Sequence, residues 1–137
     1  MSSINGLSSL RTDWNPATTV GRIEVTTIRL DRFIEEQGIR SLKLVKVDVE
    51  GHEAAVFRGL TETVKRRSVK AFVFELTPPN HPAYSRQSTD DMLLLLESSG
   101  YSLLALNQTR AVRRSAILEN PHLLGPGYNV AAIRERL

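Results

Sequence analysis

The stretch Leu42-Lys-Leu-Val-Lys-Val-Asp-Val-Glu-Gly-His-Glu53 decides the fold of this chain. Valine recurs at every second position in its centre, and a short β-branched run of this kind is typical of a strand. Gly51 permits a sharp turn, and a helical pattern begins at Glu53. Open α/β sheets bind ligands where a buried strand passes into a helix. The stretch therefore predicts an α/β sheet with a functional corner at residues 48–53.

The pattern continues on the C-terminal side of this corner. Apolar residues at helical spacing predict a helix from 53 to about 67, and residues 69–76 predict a second buried strand. A strand, a helix and a strand within 42–76 have the length of a βαβ unit. We therefore expect the strands at 42–49 and 69–76 to be parallel and joined by a right-handed crossover.

The other segments have weaker patterns. The predicted strands are at 22–28, 101–106 and 128–133, and the predicted helices are at 30–37 and 88–99. Residues 1–21 are predicted to be mostly loop, and a long loop is predicted between the last two strands. No repeat or linker divides the chain, so we predict a single domain over residues 1–137.

Composition narrows the classes of function. The chain has 137 residues, a net charge of +3 and no cysteine, which removes disulfides and thiol chemistry. It has no signal-peptide pattern and no apolar run that could span a bilayer, so we expect a cytoplasmic protein without a membrane partner. Basic residues cluster at 65–70 and 110–114 without interleaved aromatic residues. We interpret them as a helix end and a solvated loop, and predict no nucleic-acid partner.

The corner resembles the signature of the FkbM family of S-adenosylmethionine-dependent methyltransferases, Lys-x-Asp-x-Glu-Gly-x-Glu. The matching residues are Lys46, Asp48, Glu50, Gly51 and Glu53. Flanking stretches resemble the family too, at 6–10, 25–31, 57–60, 74–75 and 100–101. The resemblance implies a Rossmann-like class I methyltransferase sheet, S-adenosylmethionine as cofactor, and O-methylation of a small-molecule or sugar hydroxyl.

One part of the resemblance is missing. Such enzymes bind the cofactor with a glycine-rich turn and a ribose-binding acid, and neither is found here, so the cofactor-binding residues stay unknown. The chain resembles the C-terminal part of the domain, which makes the sheet N-terminally incomplete. Strand 42–49 then becomes an apolar edge. We expect a second chain or self-association there, a recorded start that is too late, or a degraded gene remnant.

Four residues are candidates for catalysis. Asp48 and Glu75 are predicted to lie near the C-terminal ends of adjacent parallel strands, about 5 Å apart in backbone spacing. Glu50 and His52 occupy the turn between strand and helix. A base assists transfer to a hydroxyl because the hydroxyl proton must leave, and Asp48 is the first candidate. Alternatively, Asp48 or Glu50 caps the helix, and Lys46, in a buried-type strand, needs a carboxylate partner.

Other functions remain open from the sequence. A non-catalytic remnant or interaction module would explain the missing glycine turn. The Asp, Glu and His residues of the corner also suit a magnesium-type ion and metal-dependent hydrolysis, but consecutive strand residues alternate faces, and we assign no metal ligand. His81 and His122 are expected to face solvent. Pro78-Pro79-Asn80 only superficially resembles a motif of amino-methylating enzymes, and the loops at 77–88 and 107–127 do not reveal the acceptor.

Overall fold

The computed structural model describes residues 24–106 and 110–134, whose strands form one five-stranded sheet. The predictions for residues 1–21, and for the start of the strand at 22–28, lie outside these ranges. The strands are β1 Leu42–Val47, β2 Val69–Glu75, β3 Tyr101–Ala105, β4 Arg110–Ala111 and β5 Asn129–Arg134. The helices are α1 Leu30–Glu36, α2 Glu53–Arg58, α3 Thr61–Lys65, α4 Arg86–Ser98 and α5 Arg114–Glu119, with a 3₁₀ helix at Pro121–Leu124.

Strands β1 and β2 form the parallel pair that the sequence predicts. Leu42 lies opposite Val69 and Val47 lies opposite Phe74, and the chain between the strands passes through α2 and α3. The single helix predicted over 53–67 is wrong, because the helical segments are separated at Gly59 and Leu60. The Gly59 carbonyl accepts a hydrogen bond from the Asp31 amide at 2.8 Å, so α1 packs against the break between α2 and α3.

The sheet is mixed. Its order is β1-β2-β5-β3-β4, with β5 antiparallel to both of its neighbours and β4 antiparallel to β3. Strands β1, β2 and β3 therefore run in the same direction. This arrangement confirms the predicted α/β class, whereas the Rossmann-like detail and the incompleteness of the sheet stay predictions.

A cluster of aromatic rings forms the centre of the core. The Phe57 ring of α2 lies 5.3 Å from the Phe72 ring and 5.1 Å from the Phe74 ring, measured between centroids. Tyr101 packs on Phe72 at 5.4 Å, and its hydroxyl donates a hydrogen bond to the Val69 carbonyl at 2.8 Å. Such large side chains supply much of the apolar area buried on folding, so this cluster fixes α2 on β2 directly beneath the corner.

Three sequence predictions need correction. Residues 24–28 form no strand, and Val25 and Ile28 are 64% and 60% exposed, so their alternation does not pair with any strand that the structure describes. Helix α4 begins at Arg86, two residues before Ser88, because the Ser85 hydroxyl accepts a hydrogen bond from the Ser88 amide and caps the helix. The predicted long loop after β3 contains β4, α5 and the 3₁₀ helix.

The second basic cluster is also more ordered than predicted. Arg114 begins α5 and forms ion pairs with Asp90 and Glu97 of α4, which fix the two helices together. Lys65, by contrast, lies in the last turn of α3 as expected. No helix among the described residues is long and apolar enough to cross a membrane.

Candidate functional site

The turn after β1 has a constrained backbone. The strand ends at Val47, and Glu50 and Gly51 then both adopt positive φ angles, 49° and 95°. Positive φ disfavours side chains, so Gly51 suits its position, whereas Glu50 is held in a conformation that non-glycine residues rarely adopt. A Cβ atom on Gly51 would lie 2.6 Å from the Ala83 Cβ. The turn therefore packs closely against the loop after β2.

Glu53 organises this turn. Its side chain is buried, and its Oε1 accepts hydrogen bonds from the Val49 amide at 3.3 Å and the Gly51 amide at 3.2 Å. Its Oε2 accepts a hydrogen bond from the Thr77 hydroxyl at 3.1 Å, which ties the turn to the loop after β2. Glu53 matches the last position of the signature Lys-x-Asp-x-Glu-Gly-x-Glu, but the sequence did not predict this role for it or any role for Thr77. The available signal was an acid two residues after the turn glycine.

Asp48 lies at the outer side of the corner. Its Oδ2 accepts a hydrogen bond from Lys46 Nζ at 2.8 Å. The predicted carboxylate partner of Lys46 is therefore confirmed, but Lys46 is not buried, because β1 is the last described strand on this side of the sheet. The hydrogen bond and the charge of Asp48 raise the pKa of Lys46, and the nearby charge of Glu75 adds to the effect.

Glu75 brings a second carboxylate to the corner. It is the last residue of β2, and the register that pairs Val47 with Phe74 places it beside Asp48. Its side chain is half-buried, and this burial raises its pKa. The negative charges of Glu50, Asp48 and Glu53 raise the pKa of Glu75 further, and the positive charge of Lys46 opposes them. The structure thus brings Asp48, Glu50 and Glu75 together at the C-terminal ends of two parallel strands.

His52 is placed differently from the three carboxylates. It is the N-cap residue of α2, it makes no side-chain capping bond, and its buried Nδ1 has no hydrogen-bond partner in the described part of the chain. Asp48 bonds to Lys46 instead of capping α2, and the hydrogen bonds within the turn go to Glu53. The capping alternative for Asp48 and Glu50 is therefore not supported. The catalytic roles of all four candidate residues stay predictions.

The other two histidines differ in exposure. His81 is half-buried rather than solvent-facing, because its Nδ1 accepts a hydrogen bond from the Ala83 amide at 3.1 Å and its ring packs beside Gly51. His122 is exposed as expected and lies 2.9 Å from the Tyr128 hydroxyl. Within residues 24–106 and 110–134, no three His, Asp or Glu side chains are placed to hold a metal ion together.

Comparison with protein families identifies the chain. The family model described as the methyltransferase FkbM domain matches residues 2–103, which include β1, the corner at residues 48–53, β2 and α4. The chain belongs to the FkbM methyltransferase family. Comparison with curated proteins and with solved structures finds no significant match.

An FkbM methyltransferase is expected to bind a methyl donor, and the described residues do not build a glycine-rich cradle for it. The Cα atom of Gly51 packs against Ala83, so this side of the Gly51 backbone is covered by the loop after β2. A Cβ atom on Gly127 would lie 2.8 Å from the Asn129 side-chain amide, so this side of Gly127 contacts Asn129. We assign no cofactor-binding residue.

Proposed function

We propose that this FkbM-family chain is an S-adenosylmethionine-dependent methyltransferase that methylates a hydroxyl group of a small molecule or sugar. The family assignment supports methyl transfer. The hydroxyl acceptor is supported by one observation, the grouping of Asp48, Glu50 and Glu75 where β1 and β2 end. Carboxylates accept hydrogen bonds from hydroxyl groups, and ligands of open α/β sheets bind at this end of the strands.

Proton removal is the chemical task that this corner suits. When bound, S-adenosylmethionine supplies an electrophilic methyl group, and the acceptor oxygen must lose its proton. Lys46 occupies only Oδ2 of Asp48, and Asp48 is exposed, so Oδ1 can receive the hydroxyl proton. Glu50, Glu75 and His52 then serve to bind and orient the acceptor. No residue of the described chain is given a role toward the cofactor.

The test is transfer of an isotopically labelled methyl group from S-adenosylmethionine to a panel of sugars and small alcohols. We expect Asp48→Asn to lower kcat/KM by about 100-fold, the lower range for loss of a general base. Asp91→Asn is the control, because Asp91 is an exposed acid on α4 whose one hydrogen-bond partner among the described residues is Gln87. Full activity of Asp48→Asn would exclude Asp48 as the base. Absence of transfer to every acceptor, with no cofactor binding, would overturn the proposed function.

We also propose that β1 pairs with a second copy of this chain. Among the described residues β1 pairs with β2 alone, and Leu44 is 57% exposed. The Leu42 amide bonds to Ser68 beside β2, so the backbone groups of residues 43, 45 and 47 point to the opposite edge. An antiparallel pair of β1 strands centred on Val45 would set Lys43 opposite Val47 and Leu44 opposite Lys46. No like charges would face each other in this two-fold arrangement.

A further inference from the structure

We infer that Glu53 is a positioning residue, whose buried carboxylate holds the Glu50 backbone and the Thr77 loop in the arrangement that the acceptor site requires. This inference deepens the proposed function and rests on it. Glu53 does not face the acceptor, since it is only 4% exposed, so it would act through its neighbours.

The hydrogen bonds of Glu53 surround Glu50. One oxygen, Oε1, accepts from the amides of Val49 and Gly51, the residues immediately before and after Glu50. The other oxygen accepts from Thr77, two residues after Glu75. A single side chain therefore connects the two backbone segments that carry the carboxylates of the corner.

The backbone of Glu50 shows why such a support is needed. Its φ angle of 49° is unfavourable for a residue with a Cβ atom, and its negative charge and that of Glu75 repel each other. Strained conformations of this kind persist only where surrounding bonds impose them, and they cluster at functional sites. Glycine would satisfy the turn without strain, so the presence of glutamate indicates that its side chain is used.

Charge and geometry can be separated at position 53. In Glu53→Gln the amide oxygen can still accept from Val49 and Gly51, and the amide nitrogen can donate to the Thr77 hydroxyl. Only the negative charge is lost. In Glu53→Ala all three hydrogen bonds are lost, and Thr77→Val removes only the bond to Oε2. These three variants separate the effect of the Glu53 charge from the effects of its hydrogen bonds, and they leave Asp48, Glu50 and Glu75 in place.

The experiment combines carboxyl and amide NMR of the full chain with methyl-transfer kinetics. The titrating group is Glu75, which is faced by Glu50, Asp48, Glu53 and Lys46. We expect Glu53→Gln to keep the amide signals of residues 49–51 and to lower the Glu75 pKa, because one repelling charge is gone. We expect Glu53→Ala to shift those amide signals and lower kcat/KM at least tenfold, with Thr77→Val between wild type and Ala. Glu62→Gln, an exposed acid in the first turn of α3, is the matched control.

The outcomes distinguish the inference from the proposed function. Unchanged amide signals and an unchanged Glu75 titration in both Glu53 variants would overturn the inference. The expected NMR changes in a chain that methylates no acceptor would refute the proposed function and leave Glu53 as the support of the turn. If Glu53→Ala does not fold, Glu53→Gln and Thr77→Val still test the inference. Wild-type amide signals of residues 49–51 in Thr77→Val, together with an unchanged Glu75 pKa in Glu53→Gln, would contradict it.

Discussion

The carboxylate of Asp31 accepts two hydrogen bonds from Thr63, one from its amide at 2.9 Å and one from its hydroxyl at 2.7 Å. A third comes from the Glu62 amide at 3.1 Å. Helix α3 has only five residues, and Leu60 at its N-cap has no side chain that could cap it. Asp31 of α1 therefore caps α3 from another element, which fixes the two helices together.

We predict that Asp31→Ala lowers the free energy of unfolding by about 1–2 kcal/mol, the usual cost of losing a helix cap. Burial alone would raise the pKa of Asp31, but the hydrogen bonds from Thr63 and Glu62 and the charge of Arg29 outweigh it and lower the pKa. The stabilisation is therefore present at neutral pH and is lost as pH falls through the lowered pKa. Urea unfolding of wild type and variant at neutral and acidic pH measures this difference, and Asp91→Ala is the control. Equal stabilities at neutral pH would contradict the cap.

Glu75 is expected to make the free energy of unfolding depend on pH in the opposite direction to Asp31. Because burial and neighbouring carboxylates raise its pKa, its ionised form is disfavoured in the folded state. Stability should fall as pH rises from the unfolded pKa, 4.5, through the folded one. We predict that Glu75→Gln raises the unfolding free energy at pH 8 by about 0.5 kcal/mol, a small value because solvent screens this half-buried group. The gain should vanish at pH 4, and a gain that is equal at both pH values would show that repulsion is not its cause.

Substitutions of Glu50 measure the strain that its positive φ angle places on the backbone. We predict that Glu50→Gly is more stable than Glu50→Ala by about 1 kcal/mol, because only alanine retains the Cβ atom that disfavours the φ angle of 49°. Both variants lose the carboxylate, so their difference isolates the backbone term and should be visible as a difference in melting temperature. Both should also lower methyl transfer. If Ala equals Gly in stability, the positive φ angle carries no strain.

The sequence predicts the parts of this structure that depend on local pattern. Alternating β-branched residues indicate β1 and β2, and their parallel pairing places Asp48 near Glu75 as expected. The role of Glu53 could not be predicted, since it depends on the shape of the turn and on Thr77, which lies 24 residues away. At the helix break, the Gly59 carbonyl accepts a hydrogen bond from α1, a distant contact that the local pattern does not contain. Residues 24–28 alternate like a strand but pair with no other strand in the described part of the chain, so the local pattern alone did not predict their structure.

Gly51 offers a test of how the turn packs on the loop after β2. We predict that Gly51→Ala destabilises the fold by about 2–3 kcal/mol, because its φ angle of 95° disfavours a side chain and the new Cβ would lie 2.6 Å from Ala83. Ala83→Gly removes the steric contact but not the conformational cost. The double variant should therefore recover part of the lost stability in thermal unfolding, and full recovery would show that the backbone angle is unstrained.

The proposed pairing of β1 with a second copy makes a prediction about Val45. Its amide points away from β2, so Val45→Pro removes the two hydrogen bonds that the Val45 residues of the two copies would exchange. The β1–β2 bonds of Leu42 and its alternate neighbours remain. Light scattering across a range of protein concentrations should show a dimer for wild type and a monomer for Val45→Pro. Leu94→Ala is the control, because it trims an exposed side chain of α4, which is not part of the proposed pair. A wild-type chain that stays monomeric at every concentration would refute the pairing, and a dimer that survives Val45→Pro would place the interface on another surface.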